Sequence, residues 1–150
     1  MSKIKALIPF FPLIIMILAG IGLLDATYLA FNYFTAGDIK CVITSGCDVV
    51  ASSSYAVWFG FIPVSLGGVF FYFVTFLLAF LIKESNQFIF KTSLLIWSIV
   101  AVLISMWLTF VQAFILDAYC FYCLISAGLS LFIFGLALGL WQEVKIKEKI

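Results

Sequence analysis

Four long apolar stretches, separated by short polar breaks and one long one, dominate the pattern of this chain. They cover about Pro12–Phe34, Pro63–Ile82, Phe88–Leu116 and Ala118–Leu140. Each is roughly 20 residues or longer, enough to cross a ~30 Å hydrocarbon core at about 1.5 Å rise per residue. Backbone N–H and C=O groups find no water in such a core, so each stretch is expected to be a helix. Pro63 suits the first turn of the second helix, where a missing N–H costs little. Small residues at four-residue spacing (Gly22, Ala26, Ala30; Gly135, Gly139) are positions where helices can approach closely. The fold class expected is an all-α membrane protein: a four-transmembrane-helix bundle forming one domain over residues 1–150, with no internal repeat. The first apolar run is too long for a signal-peptide core and continues into aromatic residues, so it is expected to be a retained span.

The long break, Thr35–Ile62, has no spanning run, and connections of this length usually carry function. Its "CVITSGC" closes a short loop in which Gly46 permits a tight turn, and a Cys41–Cys47 disulfide fits that spacing. The following "DVVASSSYAVWFG" is expected to start a short helix with Asp48 as its cap. Val49, Val50, Tyr55, Trp58 and Phe59 make it an amphipathic lid lying on the outer face, closing over an aromatic ligand and holding Cys47 near Cys120.

Composition strengthens the membrane reading. Hydrophobic residues make up 66% of the chain and charged residues 10%, whereas soluble domains are about 45–50% apolar. A net charge of +1 gives no reason to expect a nucleic-acid partner. All eight basic residues are lysines, and they set the topology. Lys3, Lys5, Lys83, Lys91, Lys145, Lys147 and Lys149 fall on one side of a four-span arrangement, and Lys40 on the other. By the positive-inside rule both termini face the cytoplasm and the long loop faces outward.

There is no histidine, the commonest metal ligand and general acid–base group. Chemistry therefore points to the four cysteines, Cys41, Cys47, Cys120 and Cys123, all on the outward side in this topology. Disulfides persist outside the cytoplasm, so two outward pairs suggest thiol–disulfide exchange. With Asp117 as the expected N-cap, Cys120 and Cys123 fall in or just past the first turn of the fourth helix, on one face. Free N–H groups and the helix dipole there favour the thiolate, which is the attacking species in exchange. The apolar run beyond suits a dithiol facing a lipid-soluble acceptor. Asp25, midway along the first span, reads as a protonated or hydrogen-bonded residue of the bundle interior, with a proton path as the alternative. Tyr55, Trp58, Phe59 and Phe114 are the aromatics expected around such an acceptor; the remaining aromatics are expected to face lipid.

These residues resemble the prokaryotic members of the vitamin K epoxide reductase family. The resemblance rests on the C-x5-C pair Cys41/Cys47, Ser53 six residues later, Phe59-Gly60, and the C-x-x-C pair Cys120/Cys123 opening the fourth helix. Softer matches are "DATYLA" in the first span and "WLTFVQAFILDAYC", which includes Gln112. The resemblance implies a four-helix bundle around a quinone of ubiquinone or menaquinone type, with no metal. It implies that Cys123 meets the quinone, that Cys120 is its partner in a resting disulfide, and that Cys41 and Cys47 exchange with a thioredoxin-like (DsbA-like) partner. Cys47 then passes electrons to Cys120, and Ser53 orients the lid or a quinone oxygen. The net reaction makes disulfides in secreted proteins and reduces quinone. A two-electron couple gains about 1.4 kcal/mol per ~30 mV, and quinone pools lie above dithiols, so electrons run towards quinone.

Three features depart from the family. Ala127 stands where the vertebrate enzymes carry a tyrosine, which favours a simple quinone over an epoxide. The chain stops at Ile150 without a fused thioredoxin-like domain, so a separate partner is expected. Two residues, Phe61 and Ile62, separate Gly60 from Pro63 where the family has one. The C-x5-C spacing and the lack of a retrieval signal favour a prokaryotic plasma membrane. A DsbB-type oxidase is the nearest functional alternative, but it carries its two cysteine pairs in the reverse order. A membrane protein with structural disulfides or a four-cysteine zinc site is the non-enzymatic alternative; C-x5-C is wide for half a zinc site.

Overall fold

The computed structural model describes residues 8–35, 46–58 and 60–148. Cys41, Phe59, Lys3, Lys5, Lys40 and Lys149 lie outside the described residues. After a 3-10 turn at Ile8–Phe10 come α1 (Phe11–Thr35), the short α2 (Cys47–Ala51), a 3-10 turn at Ser54–Ala56, and strands β1 (Val57–Trp58) and β2 (Ile62–Pro63). The chain then forms α3 (Val64–Ser85), α4 (Phe88–Phe114) and α5 (Phe121–Glu148). Helices α1, α3, α4 and α5 are each long and apolar enough to cross a membrane. The chain is a multi-pass integral membrane protein built as a four-helix bundle.

The bundle is held by a narrow stripe on each helix. In α1 it runs Ile15, Ala19, Gly22, Ala26 and Ala30; in α3 Tyr72, Thr75, Ala79 and Ile82; in α5 Ser130, Ile133, Ala137 and Leu140. Steps of three and four keep such residues on one helix face. The α1 stripe is mostly small, so α3 comes close. Gly22 leaves no room for a Cβ against the Tyr72 ring, and a Cβ on Gly68 would lie 3.2 Å from that of Ala26. At Gly139 a Cβ would meet Phe11 at 2.7 Å, whereas Gly135 has nothing near it, so only Gly139 of this expected pair marks a helix contact. Outside the stripes stand bulky apolar side chains such as Leu24, Phe31, Leu103 and Phe132, each more than half exposed, as lipid contact requires.

Two of the buried hydroxyls are bonded locally. Thr75 Oγ1 donates to the Phe71 carbonyl at 2.8 Å and Ser98 Oγ to that of Leu95 at 2.8 Å. Across helices, Trp97 Nε1 reaches the Phe71 carbonyl at 3.3 Å, and the Ser105 and Ser130 hydroxyls meet at 3.1 Å. Lys83, Lys91 and Lys145 lie at the end of the bundle away from Cys47 and Cys120. Lys91 departs from the expected solvated anchor: it is buried and pairs with Glu143 of α5 at 3.4 Å. A buried ammonium needs such a partner.

Three local expectations are corrected. Pro63 precedes α3 as its N-cap and pairs with Val57 in the β1–β2 hairpin, rather than sitting in the first turn. Ile62 pairs with Trp58, and Gly60 turns the hairpin with φ +80, a conformation that suits glycine. The lid helix is capped at Gly46, not Asp48, and lasts five residues. Ser52 Oγ donates to the Asp48 carbonyl at 2.6 Å and Ser53 Oγ to that of Val50 at 2.7 Å, so the serines end the helix by competing for its backbone. The third correction is at the entry to α5.

Candidate active site: a dithiol at the head of an apolar cavity

Asp117 does not cap α5. It adopts φ +46, and the Ala118 N–H reaches back to the Gln112 carbonyl at 3.1 Å. This left-handed residue with its six-residue back-bond closes the C-terminus of α4. Helix α5 therefore begins at Phe121, three residues later than the apolar pattern indicates, and Cys120 takes the N-cap position. Its carbonyl accepts the first helical bond, from Leu124 N–H at 3.1 Å. Its own N–H donates to Gln112 Oε1 at 2.9 Å, so a buried amide side chain from α4 fixes the cap.

At an N-cap a side chain can accept from the free N–H groups of the first turn. Cys120 does so. The Cys123 thiol, then the N–H groups of Cys123 and Tyr122, bond its sulfur and bring the thiol from an ordinary 9.0 down to about 7, against the opposing effect of burial. Both Cys120 and Cys123 are free thiols. This is the reduced form of the pair. Cys47 is disulfide-bonded.

The lid loop meets this turn directly. Cys47 and Cys120, 1% and 2% exposed, share one buried cluster with Leu29, Val50, Ala51, Tyr122 and Cys123 around them. Gly46 permits the approach: a Cβ there would lie 2.8 Å from both the Tyr119 N and O atoms. Tyr122 packs on Tyr28 of α1, ring centroids 5.2 Å apart, anchoring the first turn of α5 to the bundle.

Below the cysteines lies a cavity of about 330 Å³ with mostly apolar walls. Cys120, with Cys123 and Ser126 of α5, lines one side, and Asp25, Ala26 and Leu29 of α1 another. Val50, Ser53, Tyr55 and Trp58 come from the lid, Gly67, Phe71 and Tyr72 from α3, and Trp97, Ile104 and Gln112 from α4. Trp58 lies over Gly67, whose Cβ would come within 3.1 Å of the indole. Tyr72, fully buried, bonds the Ser126 carbonyl at 3.0 Å and meets its Oγ at 2.8 Å. The size and lining fit a planar, largely apolar ligand with few polar atoms, as a quinone head is. Among the described residues no three potential metal ligands come together.

Of the residues expected at the site, Cys47, Cys120, Cys123, Ser53, Tyr55 and Trp58 are brought together here. Phe114 is not. It is 77% exposed and stacks on Phe110 at 4.9 Å in an outward aromatic row with Trp107. The i, i+4 relation places it on the lipid face with Phe110. Tyr72, Trp97, Ser126 and Gly67 line the cavity without having been singled out from the sequence. Gln112, a lone amide in an apolar run, carried a signal that points to its place.

A helical bundle in lipid, with a thiolate-favouring dithiol opening onto an apolar cavity, is the architecture of a membrane oxidoreductase. The vitamin K epoxide reductase family model matches residues 13–138, and the chain belongs to that family. Membership makes it a membrane enzyme of the general thiol–disulfide and quinone-reducing kind. Comparison with curated proteins gave no match.

Proposed function

We propose that the protein is a thiol:quinone oxidoreductase that supports disulfide formation in secreted proteins. A separate thioredoxin-like protein gives up its dithiol electrons to a Cys41–Cys47 disulfide. The Cys47 thiolate then attacks Cys120 of a Cys120–Cys123 disulfide and releases the Cys123 thiol. Cys41 resolves the mixed disulfide by attacking Cys47, which restores Cys41–Cys47 and leaves Cys120 and Cys123 reduced. Two electrons then pass from this dithiol to a quinone in the cavity, and the Cys120–Cys123 disulfide re-forms. Cys123, one turn into α5, faces the quinone. Cys120, held at the cap by Gln112, faces the loop. Ser53 braces the lid through its bond to Val50, and Tyr55 and Trp58 form the rim.

The observation that carries this reading is the burial of Cys47 and Cys120 in one cluster at the head of the cavity. Exchange needs a sulfur-to-sulfur attack, and two sulfurs from distant segments packed together in an apolar site meet that need. The lysine distribution supports termini in the cytoplasm and cysteines outside, and the C-x5-C spacing favours a prokaryotic plasma membrane.

Purified protein, a reduced thioredoxin-like protein and a ubiquinone or menaquinone analogue test it. Quinol is expected to accumulate with wild type and not with Cys123→Ser. Equal turnover by Cys123→Ser overturns the reading.

A further inference from the structure

Quinone reduction moves protons as well as electrons, and the cysteines are not the only titratable groups on the cavity wall. Asp25 lies there too, well inside α1, and is the one carboxyl among the described lining residues. Its Oδ2 is buried and has no hydrogen-bond partner. Part of the interior reading made from the sequence, a carboxyl held by hydrogen bonds, therefore does not hold at this oxygen. A buried oxygen without a partner in lipid is costly and calls for a function. The second such atom, Thr92 Oγ1, does not line the cavity.

Several neighbouring polar groups of this wall are engaged. Tyr72 is bonded to Ser126, Gln112 Oε1 holds the Cys120 N–H, and Ser130 bonds the Ala127 carbonyl at 2.8 Å. The chain offers no histidine. Asp25 also lies within electrostatic reach of the Cys120 sulfur.

Resting on the thiol:quinone reading, we infer that Asp25 is the proton carrier between the Cys120/Cys123 thiols and the quinone oxygens. Two S–H bonds break and one S–S bond forms. Two electrons pass to the quinone, and each of its oxygens gains a proton. Asp25 accepts a thiol proton at its carboxylate and delivers it to an oxygen, then repeats the transfer, so its own state is unchanged over the cycle. Carboxyl groups serve as general acids and bases in this way.

The test separates the proton-consuming step from thiol exchange. In Asp25→Asn, the single-turnover rate of quinol formation by the reduced protein is expected to fall about 100-fold. Disulfide exchange between a thioredoxin-like protein and the four cysteines is expected to continue unchanged, read by trapping free thiols without quinone. Asp25→Glu, which keeps the acid, is expected to retain a substantial part of the quinol rate and guards against a folding defect. Undiminished quinol formation by Asp25→Asn beside an active wild type overturns this inference alone. Loss of exchange together with quinol formation in both variants assigns Asp25 a structural role and also overturns it. A wild type that forms no quinol overturns the functional reading and this inference with it.

Discussion

Two turns of this bundle use the same backbone device to different ends. Between α3 and α4, Asn86 takes φ 47 and its N–H bonds the Ile82 carbonyl at 2.9 Å. The chain then re-enters a helix within two residues. Between α4 and α5, Asp117 takes φ +46 and closes α4 in the same left-handed manner. Here the chain delays, and the extra residues carry Tyr119 against Gly46 and Cys120 onto Gln112. The first turn only connects. The second is a connection extended by a few residues into a thiol site, and its accuracy depends on groups brought from elsewhere: an amide from α4 and a glycine from the loop.

The largest effect separating the two turns is expected at Gln112. In Gln112→Leu the Cys120 N–H loses its acceptor and the cap its anchor, and quinol formation should drop about 100-fold, as misplacement of reacting atoms commonly costs. Activity close to wild type would mean that the delay alone shapes the site. Gly46→Ala comes next. Its new Cβ meets Tyr119 backbone at 2.8 Å, so the loop must lift. Transfer from Cys47 to Cys120 should slow about 10-fold, measured as the rate of mixed-disulfide exchange, with helical content unchanged.

Titration of Cys120 sharpens the comparison further. Its lowered value means the thiolate persists as pH falls from 9.0 until about 7. Alkylation of Cys120 by a small reagent should therefore have its midpoint near pH 7. The associated stabilisation is present above the ordinary value and lost as the pH drops through about 7. Cys123→Ala removes the first of the donors, so the midpoint should move upward towards 9.0. The smallest effect is expected at the plain turn: Asn86→Gly should change stability by less than about 1 kcal/mol, because relief of the positive φ is offset by the greater freedom of the unfolded chain, and should leave quinol formation alone.

What the sequence reveals divides along the same line. The spans were legible because an apolar run longer than a bilayer is a signal summed over many residues. The cysteine pairs were legible because nothing else in the chain offers redox chemistry. The entry to α5 was not, since an aspartate before a helix suits either an N-cap or a left-handed helix end, and only the partner of its neighbour's N–H decides. Ser52 and Ser53 end the lid helix through bonds that the apolar pattern does not encode. Phe114 was misplaced because an aromatic near the site is indistinguishable from one facing lipid until its helix phase is fixed. Tyr72 was hidden for the opposite reason: it is one aromatic among many, and only its fit over Gly22 and its bond to Ser126 single it out.

The relay itself is tested most directly by removing two sulfurs and asking whether the other two find each other. In membranes holding the Cys41→Ser/Cys123→Ser double variant, mild oxidation should link Cys47 to Cys120 within one chain, seen as a single cross-linked peptide by mass spectrometry. A folded double variant that stays as free thiols, or that links only between chains, would contradict the account.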